Sequence, residues 1–229
     1  MCEFEKVSKY LLMKVEANKK STEELHGKRL HGDERRQQII RASIEVFSTR
    51  GCRGATTKEI ASAAGVSEAT VFKHFANKDE LYSAILDAKA CEPMMQNPFE
   101  ALKPFEEKGD DFGFFYTAAL TILKNHRQDV DFIRLMMHSA LEGHELATMF
   151  LQNFAGNFYE YFSNYIARRQ KDGAFRAVES RLAIRAFLGM IVHHSLNNIL
   201  WDKEMKLLQI SDETAARGFT ELLLSGIKK

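Results

Sequence analysis

Residues that could carry covalent or metal chemistry are few in this chain and poorly spaced for it. His193 and His194 are neighbours, and consecutive helical residues point about 100° apart, so the pair does not converge on one ion. Cys2, Cys52 and Cys91 are too scattered for a disulfide framework or a zinc site. There is no nucleophile elbow, phosphate loop or HExxH, and no carboxylate pair stands apart from the ordinary surface charge. No catalytic residue, metal or cofactor is therefore expected, and the chain does not read as an enzyme. What remains is recognition chemistry. The segment from Thr57 to Phe72 (TKEIASAAGVSEATVF) has the spacing of two helices crossing steeply over a tight turn. Ala61 is small enough for close approach, Gly65 can take the left-handed conformation, and Ile60, Val66 and Val71 can share a small core. A second helix held this way presents its N-terminal turn to a major groove, where side chains read base edges. The same spacing also fits a plain helical hairpin.

The surrounding elements must hold that segment in place. A first helix is expected over Asp33 to Arg50, with Asp33 as its cap, Ile40, Ile44 and Phe47 as a buried stripe, and Gly51 just past its end. Thr56 and Glu59 form a capping box for a helix over Thr57 to Ala64. Ser67 caps the next helix, which ends near Ala76, and Asn77 opens another that carries Leu81, Tyr82, Ile85 and Leu86. Pro93, Pro98 and Pro104 fall close together and break helices, so a domain junction is placed there. Beyond it, helical patterns run near residues 110–125, 129–141, 145–171, 180–201 and 212–228. Asp172-Gly173 ends the longest, and Ser211 caps the last. With no strand pattern of any length, the fold class is all-α. The expected division is an N-terminal extension (1–32), a helix-turn-helix domain (33–90) and a larger helical domain (91–229). Residues 1–20 read either as an amphipathic helix or as a frayed tail.

Composition sets the outer bounds. The 229 residues are 45% hydrophobic, enough for a substantial core. Formal net charge is only +1, so any charge that grips DNA must be local. No run of about 18 apolar residues occurs, so no membrane contact is expected. The beginning of the chain, with acidic Glu3 and Glu5, does not read as a secretory signal. Together with the sparse cysteines, this points to a reducing cytoplasm.

From Arg36 to Leu81 the sequence resembles the DNA-binding domain of TetR-type (TetR/AcrR family) bacterial transcriptional regulators. The likeness rests on Phe47 and Gly51, Thr56-Thr57, Ile60-Ala61, Ala64-Gly65-Val66-Ser67, Val71-Phe72-Lys73-His74-Phe75 and Asn77-Lys78-Asp79-Glu80-Leu81. It implies that Thr57 bonds a phosphate and that Glu68, Ala69, Thr70 and Lys73 face base edges. It further implies that His74 and Lys78 hold the DNA backbone. Two positions depart from the family pattern. Phe72 stands where tyrosine usually donates its hydroxyl to a phosphate, and Ala69 stands where glycine is common. Cys52 replaces a common aromatic.

The resemblance also implies a divergent C-terminal domain whose interior binds a small effector. The abundance of aromatics and methionines beyond Phe112 suggests an apolar or aromatic one, lined by Phe115, Met136, Met137, Phe154, Phe158, Phe162 and His193. Read from spacing alone, most of these side chains are simply core and interface. His138, His144, Asn157, His194 and Asn197 are further polar groups able to orient a ligand. In the family the last two helices pair with their symmetry mates, here through Leu182, Ala186, Gly189, Met190, Leu196, Phe219, Leu222 and Leu223. The result would be a homodimer suited to a palindromic double-stranded operator. Repression relieved by the effector is the expected outcome. The alternative is a DNA-associated regulator on the same fold controlled by a protein partner.

Overall fold

The computed structural model describes residues 32–91, 98–204 and 206–229. The expectations for the N-terminal extension before Gly32, and for Pro93, lie outside them. Among the described residues every regular element is helical, and the only extended pairing is a single bridge between Phe175 and Lys228.

Four helices form the N-terminal part: α1 (Gly32–Gly54), α2 (Thr57–Ala63), α3 (Glu68–His74) and α4 (Lys78–Ala90). The nominal span of α1 contains a break at Gly51, whose φ of 73° and ψ of 172° are not helical. The regular helix thus stops at Arg50, where the sequence places its end. Ala64 and Gly65 close α2 with a Schellman motif. The Val66 amide donates to the Ala61 carbonyl at 2.9 Å and the Gly65 amide to the Ser62 carbonyl at 3.1 Å, with Gly65 at φ 62°. A side chain at that φ would be strained.

The C-terminal part begins with a 3-10 turn (Glu100–Leu102) and α5 (Lys103–Lys108). Here the proline expectation is corrected. Pro104 sits in the first turn of α5, where its missing amide hydrogen costs nothing, so it starts a helix instead of breaking one. Then come α6 (Asp111–Gln128), α7 (Val130–Leu141), α8 (Glu145–Phe150), α9 (Gly156–Lys171), α10 (Ser180–Leu196) and α11 (Asp212–Ile227). A π-helical turn over Leu151–Ala155 joins α8 to α9, and another over Asn197–Trp201 continues α10. The stretches expected as single helices over 145–171 and 180–201 are thus continuous but locally underwound. The caps are largely those expected: the Ser67 side chain accepts from the Thr70 amide, Asn77 from that of Glu80, and Ser211 from that of Thr214.

Contacts divide the described residues into two units. One holds 32–43 and 57–91, and the other holds 44–56 and 98–229. The division therefore runs through α1 as well as near residue 91. In the first unit Ile39, Ile40, Ile60, Ala61, Val71, Phe75, Leu81 and Ile85 are buried. The second is organised around α6, which packs on α5, α10 and α11, and its core joins Phe114, Phe115, Phe162, Tyr165, Phe187 and Ile191. Phe114 and Tyr165 stack face to face at 3.8 Å. Within this unit the Ser48 hydroxyl donates to Asp131, and the Arg53 amide donates to Glu142 at 2.9 Å.

One buried carboxylate fastens the second unit. Asp111, only 5% exposed, accepts from Arg169 Nε at 2.7 Å and from the Tyr165 hydroxyl at 2.8 Å, with Lys228 Nζ at 3.7 Å. Burial and the bond to Asp111 raise the Tyr165 phenol well above its ordinary value, and the same carboxylate raises Arg169. Breaking a buried pair from one side leaves the other charge uncompensated. Asp111→Ala is expected to lower folding stability by about 3 kcal/mol, measured by urea unfolding. A loss below about 1 kcal/mol would show that Arg169 finds water or another acceptor at little cost.

Candidate functional site

The first unit presents α3 by three local devices. The Schellman turn sets its direction, the Ser67 cap starts it, and the Gln38 side chain of α1 donates to the Ala64 carbonyl at 2.8 Å, holding the end of α2. Val71 and Phe75 anchor the inner face of α3, and the Arg36 guanidinium lies 4.7 Å over the Phe75 ring. The outer face carries Glu68, Ala69, Phe72 and Lys73, all exposed, with Thr70 and His74 half-buried at its edges. Phe72 is 50% exposed beside a buried Val71.

Six of the eight residues expected to touch DNA therefore share α3 at exposed or edge positions. Thr57 at the start of α2 and Lys78 at the start of α4 flank that helix in sequence, both half-buried. Two contacts were not legible in the sequence. The Thr57 hydroxyl donates to the Glu68 carboxylate, tying the N-termini of α2 and α3. The Thr70 hydroxyl pairs with that of Ser67 at 2.8 Å. Glu80 accepts from the Ala76 amide at 2.7 Å while Asn77 accepts from the Glu80 amide, which makes a reciprocal cap for α4.

In the second unit, Phe115 and Phe162 lie in the closed aromatic core, and Met136 is also buried. Met137 and Phe158 are half-buried. The Phe154 side chain lies outside the described residues. His193 is exposed and pairs with Asn197, whereas His194 pairs with Asn198 and packs edge-on against Phe219. The adjacent histidines thus diverge, as consecutive helical positions must.

Elsewhere in this unit an open cleft of about 250 Å³ lies where the ends of α6 and α10 meet the starts of α7 and α11. Leu123, Val130 and Ile199 supply apolar wall. Its polar lining is His126, Arg127, Arg134, Ser195, Asn198, Lys203 and Asp212. None of the seven expected effector residues lines it. Arg127 pairs with Asp212 at 2.8 Å, and His126 Nδ1 lies 2.9 Å from the Ser195 hydroxyl. Burial pushes the His126 imidazole down to about 4, so at neutral pH it is an uncharged hydrogen-bonding group. Burial also lowers His194, against the opposing pull of Asp212.

Two family models match the chain. That for bacterial regulatory proteins of the tetR family covers residues 39–85, and that for the C-terminal domain of AefR-like transcriptional repressors covers residues 115–226. Over 60 residues the chain is 50% identical to the HTH-type transcriptional activator FasR of Mycolicibacterium smegmatis, an alignment spanning 26% of this chain and 27% of that protein. The first relatives of this kind are thus matched over about a quarter of their length. Among solved structures it resembles NalD, the secondary repressor of the MexAB-OprM multidrug efflux pump in Pseudomonas aeruginosa. That likeness has a TM-score of 0.66 at 21% identity and covers 87% of this chain and 99% of that one. It also resembles SmeT in complex with triclosan, with a TM-score of 0.62 at 17% identity over 86% of this chain and 92% of the other.

The buried neutral histidine predicts an acid dependence of stability. Unfolded, His126 takes its proton near the ordinary value of about 6.5, and folded it does so at about 4. Between these limits the unfolded chain holds more protons, so stability is full above the upper limit and falls as pH drops towards the lower one. From about pH 7 to about pH 5 the loss from His126 is about 2 kcal/mol. Urea unfolding at both pH values checks this, and His126→Gln should flatten most of the slope.

Proposed function

The chain belongs to the tetR family of bacterial regulatory proteins and is a DNA-binding transcriptional regulator, and from that premise we propose that it is a repressor that holds a palindromic operator as a homodimer and is released by a small effector. The observation that carries the DNA-binding half is α3 itself. Its inner face is locked by Val71 and Phe75, while Ala69, Phe72 and Lys73 face water in a single patch. In this reading Glu68, Ala69, Thr70 and Lys73 meet base edges. Thr57, His74 and Lys78 meet phosphates, with Phe72 against the backbone. Lys78 opens α4, where the positive end of a helix disfavours a cation. A phosphate oxygen at that point would be attracted by both and would offset the cost. On DNA, Glu68 exchanges the Thr57 hydroxyl for a base-edge donor such as the cytosine amino group, which frees Thr57 for a phosphate.

A second copy is supported by the outer faces of α10 and α11. Leu182 and Leu222 are 65% and 62% exposed, with Ala186 and Gly189 open beside them. Leu223 differs from the expected interface set in being part of this chain's own core. The effector is proposed to be apolar or aromatic and held in the second unit, with Phe115, Met136, Met137, Phe154, Phe158, Phe162 and His193 contributing. The protein works in the cytoplasm. Repression is favoured by the AefR-like repressor description of the matching C-terminal domain, although FasR carries the name of an activator.

Two variants separate backbone grip from base reading. Lys78→Ala should weaken binding to all duplexes alike and lower the salt slope by about one per subunit. Thr70→Ala, which keeps the amide that Ser67 caps, should change preference at one base pair of each half-site at a cost of about 1 kcal/mol. Fluorescence titration of the operator and of single-base variants distinguishes them, and a uniform loss in both mutants would refute the proposed reading face.

Phe72 gives an independent test. Phe72→Tyr adds a hydroxyl at a half-exposed ring and should leave folding stability unchanged. Affinity should rise by roughly 0.5–1.5 kcal/mol for operator and scrambled duplex alike, because the new bond goes to phosphate. Unchanged affinity for both would mean that Phe72 does not face the DNA backbone.

A further inference from the structure

We propose that the cleft between the ends of α6 and α10 and the starts of α7 and α11 is a binding site for a small organic carboxylate, held by Arg134 and Lys203 with its apolar body against Leu123, Val130 and Ile199. The site is distinct from the aromatic set assigned to the effector, and its occupancy can be measured whether or not it alters DNA binding.

Charge is the first reason. Three cations, Arg127, Arg134 and Lys203, line the cleft against one carboxylate, Asp212. That carboxylate is already committed to Arg127 at 2.8 Å and stands 3.9 Å from His194. Among the described residues Arg134 and Lys203 have no carboxylate partner. Arg134 is half-buried, so it is partly desolvated without the compensation such a group normally finds. Its planar fork matches a carboxylate with two parallel hydrogen bonds.

Shape and polarity give the second reason. An open space of about 250 Å³ lies just below the usual range for ligand pockets. It is matched by a ligand of a single ring or short chain. Leu123, Val130 and Ile199 supply the apolar wall that gives such a body its affinity. His126, neutral and bonded to Ser195, and Asn198 add hydrogen-bonding groups without repelling an anion. An inorganic anion would use the cations and leave the apolar wall wet.

Benzoate and its uncharged isostere benzamide serve as probes. Calorimetric titration of the full, DNA-free chain near neutral pH should give saturable binding of benzoate, with benzamide weaker by about tenfold or more, the usual worth of a charge-assisted bond. Arg134→Gln should weaken benzoate by about tenfold, and Lys203→Gln, at an exposed turn where folding is not at stake, by a smaller factor. The His126 ring resonances should shift with the same saturation curve. Three results would overturn the proposal: no saturable benzoate binding, equal binding of benzamide, or benzoate affinity unchanged in both variants. Release from operator DNA is a separate readout. Benzoate binding without release would leave the cleft assignment standing and would count only against a role for this site in the switch.

Discussion

A helix of seven residues does not hold itself in water, because nucleation costs more than so few hydrogen bonds return. The DNA-reading part of this chain rests on two of them, α2 and α3. They exist because their ends are satisfied from outside and one face of each is buried. Ser67 satisfies an amide that α3 cannot and the Phe75 amide closes its other end, while the Schellman turn at Gly65 satisfies carbonyls of α2 and Gln38 reaches across from α1 to take one more. The orientation of α3 thus follows from hydrogen-bond accounting at helix ends, and the exposed patch on its outer face is what that accounting leaves over.

The second unit answers the same constraint with charge. Where α6 begins, Asp111 gathers Tyr165, Arg169 and Lys228. Where α6 ends, Arg127 reaches Asp212 and His126 reaches Ser195. Between these two polar clasps the helix is lined with aromatic side chains that pack face to face and edge to face. At the beginning Arg169 also reaches Asp172, so two carboxylates face two cations there. The clasp at the end is open and leaves cations in excess, and it is this asymmetry along a single helix that the proposed carboxylate site rests on.

Much of this was legible in the sequence because capping residues act locally. Ser67, Asn77 and Ser211 sit beside the amides they serve, and Gly65 and Gly173 mark the left-handed turns where they were expected. Pro104 was misread because the same residue ends a helix from within and starts one from its first turn. The π-helical turns at Leu151–Ala155 and Asn197–Trp201 left no signature, since a single extra residue in one turn hardly disturbs the helical spacing of the apolar positions around it. The Thr57–Glu68 bond and the Asp111 clasp depend on where two helices come to lie, which periodicity does not specify. The cleft was invisible for the same reason. Its residues come from the ends of separate helices, and only the fold brings Leu123 and Arg134 to Ile199 and Asp212.

The break at Gly51 has a consequence for how such chains exchange parts. The stretch 44–56 belongs by its contacts to the second unit, where Ser48 meets Asp131 and Arg53 meets Glu142. A β-carbon on Gly51 would fall 2.1 Å from a Glu142 oxygen. Residues 57–91 are therefore framed on both sides in sequence by stretches that belong to the second unit. A recombination joint placed near residue 91 would swap the reading head and carry 44–56 with it, separating Gly51 from the glutamate shaped around it. Inheritance of a new C-terminal unit would work most easily when residues 44–56 travel with it, so this segment should follow the evolutionary history of the second unit and not that of the residues on either side of it.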